Sequence, residues 1–64
     1  MADIIEAGML ERGDLFCIPG KPDEFQCLGW HRNLDMVMYC GVDEIDVVRY
    51  IRPFREVEVD NYYF

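Results

Sequence analysis

The stretch Glu56-Val57-Glu58-Val59-Asp60 indicates the fold class of this chain. Carboxylates and valines alternate at every position, so an extended backbone here buries one face and exposes the other. The same alternation begins at Glu24-Phe25-Gln26-Cys27 and slips at Gly29. A glycine at such a slip predicts a β-bulge. Both patterns are typical of strands that have one buried face.

Two other stretches, residues 14–18 and 36–40, are apolar on both faces. Strands of this kind are expected to curl around a small closed core. Turn-forming residues separate the strands at residues 19–23 and 32–35. Turn-forming residues at such short intervals predict an all-β domain, which could also contain one short helix or 3₁₀ turn.

Residues 43–52 are consistent with either a helix or a strand. Asp43 is a favourable helix N-cap, Arg49 and Arg52 would lie in the last turn, and Pro53 would end the helix. The β-branched and aromatic residues between these positions favour a strand instead. We favour the strand, although the pattern alone leaves both alternatives open.

The chain has 64 residues, which is enough for one domain only. We divide it into an N-terminal arm at residues 1–12, a barrel at residues 13–60 and an aromatic tail at residues 61–64. In the arm, Ile4 and Ile5 predict either a short strand or an irregular turn over an open end of the barrel.

Three short motifs resemble those of a known group of proteins. The run Leu10-Glu11-Arg12-Gly13-Asp14-Leu15-Phe16 resembles the L-x-x-G-D-x-F opening of many small SH3-like β-barrels. Phe25-Gln26-Cys27-Leu28-Gly29 is similar to their second strand, and Val57-Glu58-Val59 to their last. The resemblance implies a five-stranded SH3-like barrel and a phage or prophage origin, because small uncharacterised phage proteins often have this layout. It implies no activity, since a fold does not determine a function.

The charge balance bears on the kind of partner. Thirteen Asp and Glu against six Lys and Arg give a net charge of −7, which repels phosphates and argues against direct nucleic-acid binding. The longest uncharged apolar run, residues 36–42, is far shorter than the roughly 20 residues of a membrane helix. The N-terminus lacks the basic and apolar regions of a signal peptide. We therefore expect a cytoplasmic protein, and the resemblance to phage proteins implies that the cytoplasm is that of a bacterial host.

Groups suited to catalysis or metal binding are few. The chain contains no Ser or Thr, which excludes a hydroxyl nucleophile of either type. A Cys–His dyad would pair His31 with Cys27 or Cys40, and the Cys27 pair requires that no bulge intervenes at Gly29. Zinc could bind a Cys3His set that includes Cys17, but the spacing lacks a close thiolate pair. We expect free cysteines, no cofactor and no enzymatic activity.

Clustered carboxylates are the candidate binding groups. Two glutamates on the outer face of the last strand lie about 7 Å apart, two residues of strand rise. This distance resembles the spacing of successive phosphates on a nucleic-acid strand, so the face could occupy a Lys- and Arg-lined groove. The acidic surface could equally serve solubility alone. The candidate contact residues are Asp43, Glu44, Asp46, Glu56, Glu58 and Asp60, with Tyr62, Tyr63 and Phe64 as apolar anchors.

From these residues we predict a non-catalytic acidic protein-binding domain. In its most concrete form it is a phage-encoded inhibitor that covers the nucleic-acid-binding surface of a bacterial defence protein, such as a CRISPR or restriction effector. The alternative is a small structural or assembly protein that self-associates, for example as a homodimer, or docks through its aromatic C-terminus.

A group of arginines beside aromatic residues has two interpretations. Arg49, Arg52 and Arg55 lie close to Tyr50 and Phe54 in sequence, a composition typical of interface hot spots. The alternative, which we favour, is an ion-pair belt within the chain that joins these arginines to Glu44, Asp46 and Glu56.

Overall fold

The computed structural model describes residues 2–60, and its secondary structure consists of β-strands and one 3₁₀ turn. The strands are β1 (Ala2–Glu6), β2 (Leu15–Cys17), β3 (Glu24–His31), β4 (Met36–Gly41), β5 (Glu44–Ile51) and β6 (Glu56–Asp60). They form one antiparallel sheet in the order β1-β6-β2-β3-β4-β5. A 3₁₀ turn at Ala7–Met9 follows β1. The prediction of an all-β domain with one short turn is confirmed.

The described residues form six strands, where the sequence predicted five. The additional strand is β1, which lies in the segment expected to be an arm and pairs with the whole length of β6. Ile4 and Ile5 belong to this strand, and the 3₁₀ turn follows directly, so both predicted features occur in succession. Within residues 2–60 no ladder joins β1 to β5, so the sheet is open and a closed five-stranded barrel is not confirmed.

The segment that could be a helix or a strand is strand β5. Gly41 of β4 pairs with Glu44, so only two residues connect the strands, and Arg49 pairs with Tyr39. Between these two pairs, β5 has four residues (45–48) where β4 has only Cys40, so the register of the ladder shifts here. In β5 only Ile51 is buried.

The bulge predicted at Gly29 is confirmed. Cys27 pairs with Tyr39 and Gly29 pairs with Met38, so Leu28 is an extra residue in β3. Gly29 has a φ of +116°, a conformation that side-chain-bearing residues rarely adopt. Because of the extra residue, the side chains beyond the bulge lie on the opposite face from the one the alternation would give them.

Three aromatic rings form the centre of the core. Phe16, Phe25 and Tyr39 come from β2, β3 and β4, and their ring centroids lie 5.2–5.8 Å apart in tilted and edge-to-face arrangements. Val57 and Val59 of β6 pack into the same cluster and are almost fully buried. The alternation in β6 thus has the predicted orientation, with its valines inward and its carboxylates outward.

The 3₁₀ turn closes one end of this core. The Ala7 N–H donates to the Arg55 carbonyl at 2.8 Å, and the Gly8 N–H donates to the Pro53 carbonyl at 2.7 Å. These bonds fasten the segment between β5 and β6 to the chain that follows β1. No helix among residues 2–60 has the length and apolar character needed to cross a bilayer.

Replacing Gly29 with Ala should lower the free energy of unfolding by about 1–3 kcal/mol, because a Cβ is strained at this φ. No atom outside the neighbouring residues lies within 4 Å of the added Cβ, so the loss reports backbone strain rather than a clash. Urea denaturation followed by circular dichroism measures it.

The matched control is Gly41→Ala, where φ is not positive and the added Cβ would lie 3.6 Å from the Glu44 Cβ. This variant should keep the wild-type free energy of unfolding or raise it slightly. Equal destabilisation by both substitutions would contradict the assigned role of Gly29.

Candidate acidic binding surface

The outer face of β6 presents a row of carboxylates. Val57 and Val59 occupy the core side of this strand, so Glu56, Glu58 and Asp60 lie on the other side. Glu56 and Asp60 are exposed and Glu58 is half-buried. Because β6 lies between β1 and β2, side chains of the neighbouring strands extend this surface on both sides.

Strand pairing adds two more glutamates to this row. Glu6 of β1 lies directly opposite Glu56. On the other side, Cys17 of β2 lies opposite both Glu58 of β6 and Glu24 of β3, which places the thiol between two carboxylates. Residues that pair directly share one face of a sheet. We call this surface the acidic face; its carboxylates are Glu6, Glu24, Glu56, Glu58 and Asp60.

The acidic face has no cationic partner within residues 2–60. The single ion pair in this part of the chain joins Arg49 Nη2 to Glu44 Oε1 at 4.0 Å, and both side chains are about half exposed. No side-chain hydrogen bond involves a carboxylate of the acidic face in the same residues. Like charges directly opposite one another destabilise a sheet, so the Glu6–Glu56 pair opposes folding.

A shallow hollow lies within the acidic face. Its volume is about 150 Å³, and its lining includes Leu15, Cys17, Glu24, Glu58 and Asp60. Partial burial raises the pKa of the Cys17 thiol, and the negative charges of Glu24, Asp60 and Glu58 raise it further. The thiol is therefore protonated at neutral pH and adds no charge to the surface.

The remaining predicted acids lie elsewhere in the sheet. Asp43 is in the connection between β4 and β5, and Glu44 and Asp46 are exposed residues of β5. Three strands separate β5 from β6, so the two groups of carboxylates are not brought together on neighbouring strands. The predicted anchors Tyr62, Tyr63 and Phe64 lie outside the described residues.

Glu6 and Glu24 were not among the predicted contact residues. Each belongs to the acidic face only through its cross-strand neighbour, Glu56 for Glu6 and Cys17 for Glu24. A sequence pattern reports which residues of one strand share a face, but it does not report the strand order. No spacing of residues in the sequence therefore predicts that Glu6 and Glu24 belong to the acidic face.

The Cys–His pairs allowed by the sequence are not formed. Cys27 shares the core face with Tyr39, whereas the extra residue at the Gly29 bulge puts His31 on the opposite face. Cys40 lies four residues along β4 from Met36, the partner of His31, or about 13 Å of strand rise. His31 Nδ1 instead accepts the Leu34 N–H at 3.2 Å.

The four residues weighed as zinc ligands are likewise dispersed. Cys17, Cys27 and Cys40 are free thiols. Cys40 pairs with Gln26, which is adjacent to Cys27 in β3, so Cys27 and Cys40 lie on opposite faces of the sheet. Among residues 2–60 no three His, Cys, Asp or Glu side chains are grouped closely enough to hold a metal ion.

Of the predicted ion-pair belt, one pair is present in the described part of the chain. Arg49 contacts Glu44, but neither Arg52 nor Arg55 has a carboxylate within 4.0 Å in the described part of the chain. These two side chains are exposed and are available to other molecules.

Comparison with known proteins identifies no relative: no protein-family model, curated protein or solved structure matches this chain. The interpretation of the acidic face therefore depends on its own geometry and charge.

The rate at which Cys17 is alkylated should depend on the negative charge of the acidic face around its thiol. A raised pKa leaves less thiolate at pH 8, so iodoacetamide should modify Cys17 more slowly than a cysteine in an unstructured peptide. The alkylation rate of Cys17 should rise with pH, and its pH profile should lie at higher pH than that of the cysteine in the unstructured peptide. Glu24→Gln should increase the rate at pH 8, as measured by peptide mapping at timed intervals.

Glu56→Gln provides the control, since Glu56 belongs to the acidic face but is not among the groups that raise the pKa of Cys17. It should leave the alkylation rate near the wild-type value. A Cys17 that reacts as fast as the unstructured peptide would show that the thiol is not surrounded by these carboxylates.

Proposed function

We propose that this protein is a non-catalytic protein-binding domain whose acidic face occupies a basic, nucleic-acid-binding surface of a bacterial protein. The supporting observation is a group of five carboxylates that share one sheet face and have no cationic partner in residues 2–60. Opposite charge on the partner would speed the encounter and make binding sensitive to salt.

The spacing of the carboxylates suits a surface that normally holds phosphates. Glu56, Glu58 and Asp60 follow one another at steps of two residues, or about 7 Å along the strand. A central strand holds these positions before the partner arrives, which reduces the entropy lost on binding. Glu6 and Glu24 widen the charged surface across the neighbouring strands.

A role in solubility alone does not require this arrangement. Dispersed charges are enough to keep a small domain soluble. Here Glu6 and Glu56 are placed directly opposite each other, at a cost in stability. An unfavourable pair of this kind is consistent with a surface that is selected for binding.

The biological setting is part of the same proposal. The L-x-x-G-D-x-F motif at residues 10–16 supports an SH3-like origin, and this resemblance favours a phage- or prophage-encoded inhibitor that acts in the bacterial cytoplasm. A CRISPR or restriction effector has the basic nucleic-acid groove that the acidic face would fit. The proposal involves no catalytic step, in keeping with the separation of Cys27 from His31.

The test compares two variants of equal charge. One replaces the β6 carboxylates, Glu56→Gln, Glu58→Gln and Asp60→Asn; the control replaces the β5-side carboxylates, Asp43→Asn, Glu44→Gln and Asp46→Asn. Each removes three negative charges from the net −7. Tagged proteins are used to capture partners from bacterial lysate, which are identified by mass spectrometry and then purified for affinity measurement.

The wild-type protein should bind a nucleic-acid-binding protein, and added duplex DNA or RNA should compete with it. The β6 variant should lose at least about tenfold in affinity, equivalent to about 1.4 kcal/mol. The control should stay within about threefold of wild type, which is about 0.65 kcal/mol. Equal losses in both variants would indicate that total charge, rather than the acidic face, determines binding.

A second candidate function is assembly into a larger structure. The observation that favours it is edge strand β5, where Ile45 is 67% exposed and Val47, Val48 and Tyr50 are 43–47% exposed. Exposed apolar side chains on a sheet edge promote association with another chain.

This alternative predicts binding that is nearly indifferent to salt. Sedimentation velocity of the wild-type protein in low and high salt measures any self-association, and Val48→Lys should abolish it if β5 is the contact. A monomer at all concentrations, together with loss of partner binding in the β6 variant, would instead favour the inhibitor.

A further inference from the structure

A second charged surface has the opposite sign. A cleft of about 320 Å³ lies beside Tyr39, and its lining includes Lys21, Arg52 and Arg55. These are half of the six Lys and Arg in the chain, and no Asp or Glu of the described residues lines the cleft. In a protein of net charge −7, this local excess of positive charge requires an explanation.

Lys21 is held at the cleft by a proline-containing turn. In Ile18-Pro19-Gly20-Lys21 the Lys21 N–H donates to the Ile18 carbonyl at 3.0 Å, and Gly20 has a φ of +88°. Proline at the second position and a positive-φ glycine at the third are the signature of a type II β-turn. Ile18 is buried in the core, so the start of this turn is fixed.

A similar turn places the two arginines. In Arg52-Pro53-Phe54-Arg55 the Arg55 N–H donates to the Arg52 carbonyl at 3.1 Å, and proline again occupies the second position. Arg52 and Arg55 are thus the first and last residues of one turn. The hydrogen bonds from Ala7 and Gly8 to this segment hold it against the 3₁₀ turn. Both turns therefore fix the backbone from which the three cationic side chains extend before any ligand is bound.

The cationic side chains of the cleft lack a neutralising group. Within residues 2–60 none of the three has a carboxylate within 4.0 Å. Tyr39 adds a hydrogen-bond donor: its ring packs on Phe16 and Phe25, and its hydroxyl makes no hydrogen bond in the described residues. Since no buried side-chain oxygen there lacks a partner, this hydroxyl retains some solvent exposure, and Tyr39 is one of the residues that line the cleft.

We propose that this cleft binds a small phosphate-bearing ligand through Lys21, Arg52 and Arg55. A ligand with a single carboxylate would neutralise only one of the three positive charges. The planar fork of arginine also matches the oxygens of a phosphate group. Tyr50 also lines the cleft, and its ring packs edge-to-face on His31 with the ring centroids 5.8 Å apart. The volume lies within the range of small-ligand pockets.

A small phosphate compound fits this cleft better than a nucleic acid does. A polyanion would meet the repulsion of the net charge of −7 along its whole length, whereas a single phosphate group meets only the local field of the three cations. The ligand chemistry is common to inorganic phosphate and nucleotides, and the experiment separates these sources.

The test uses inorganic phosphate, ADP and adenosine as probes, titrated at constant ionic strength into the full chain and followed by amide NMR. Phosphate and ADP should shift the amides of residues 18–21 and 50–55. Arg52→Gln and Arg55→Gln should each weaken binding by about tenfold, the effect of losing one charge-assisted hydrogen bond. ADP binding more tightly than phosphate identifies a nucleotide, and equal binding identifies the phosphate group alone.

Arg32→Gln is the matched control, because Arg32 is an exposed arginine of the β3–β4 turn and does not line the cleft. It should stay within about twofold of wild type, a difference of about 0.4 kcal/mol. The proposal is overturned if Arg32→Gln weakens binding as much as Arg52→Gln. It is also overturned if adenosine binds as tightly as ADP, or if neither phosphate compound shifts these amides at about 10 mM, a very weak affinity.

Discussion

The packing of Phe16 against Phe25 and Tyr39 is the interaction on which the rest of the fold depends. The three rings come from consecutive strands and make pairwise contacts at the centre of the core. They define the inner face of β2, β3 and β4. The alternation along each strand then assigns its remaining side chains to the inner or the outer face. In β6, Val57 and Val59 complete the core, which leaves the carboxylates of that strand outside.

Local pattern was enough to predict several features of this fold. The alternation at residues 56–60 indicated which side of β6 is buried, and the slip at Gly29 indicated the bulge that separates Cys27 from His31. Both features depend only on residues close in sequence, where strand geometry has a period of two. The same reasoning favoured a strand at residues 43–52, although it did not predict the register shift at residues 45–48.

Features that depend on strand order were not predictable in this way. The residues of β1 carry a weak pattern, and the strand is defined by its ladder with β6, more than 50 positions later in the chain. Glu24 lies near Glu58 because both flank Cys17, and Glu6 lies near Glu56 for the same topological reason. The sequence thus predicted the carboxylates of β6, whereas the width of the acidic face required the structure.

Charge is segregated over the surface of this small domain. The acidic face lies on the outer side of β6, and the cationic cleft lies beside Tyr39, where two proline-containing turns meet. Apart from the contact between Arg49 and Glu44, no ion pair within 4.0 Å forms in residues 2–60. We propose that the carboxylates of the acidic face serve binding and do not stabilise the fold.

The most direct test of this claim is the free energy of unfolding of the Glu56→Gln, Glu58→Gln, Asp60→Asn variant in urea, at pH 7 and low ionic strength. If the carboxylates are not structural, the variant should be as stable as wild type or slightly more stable, because a repulsive pair has been removed. A loss of more than about 1 kcal/mol would contradict the account and would show that these groups hold the fold together.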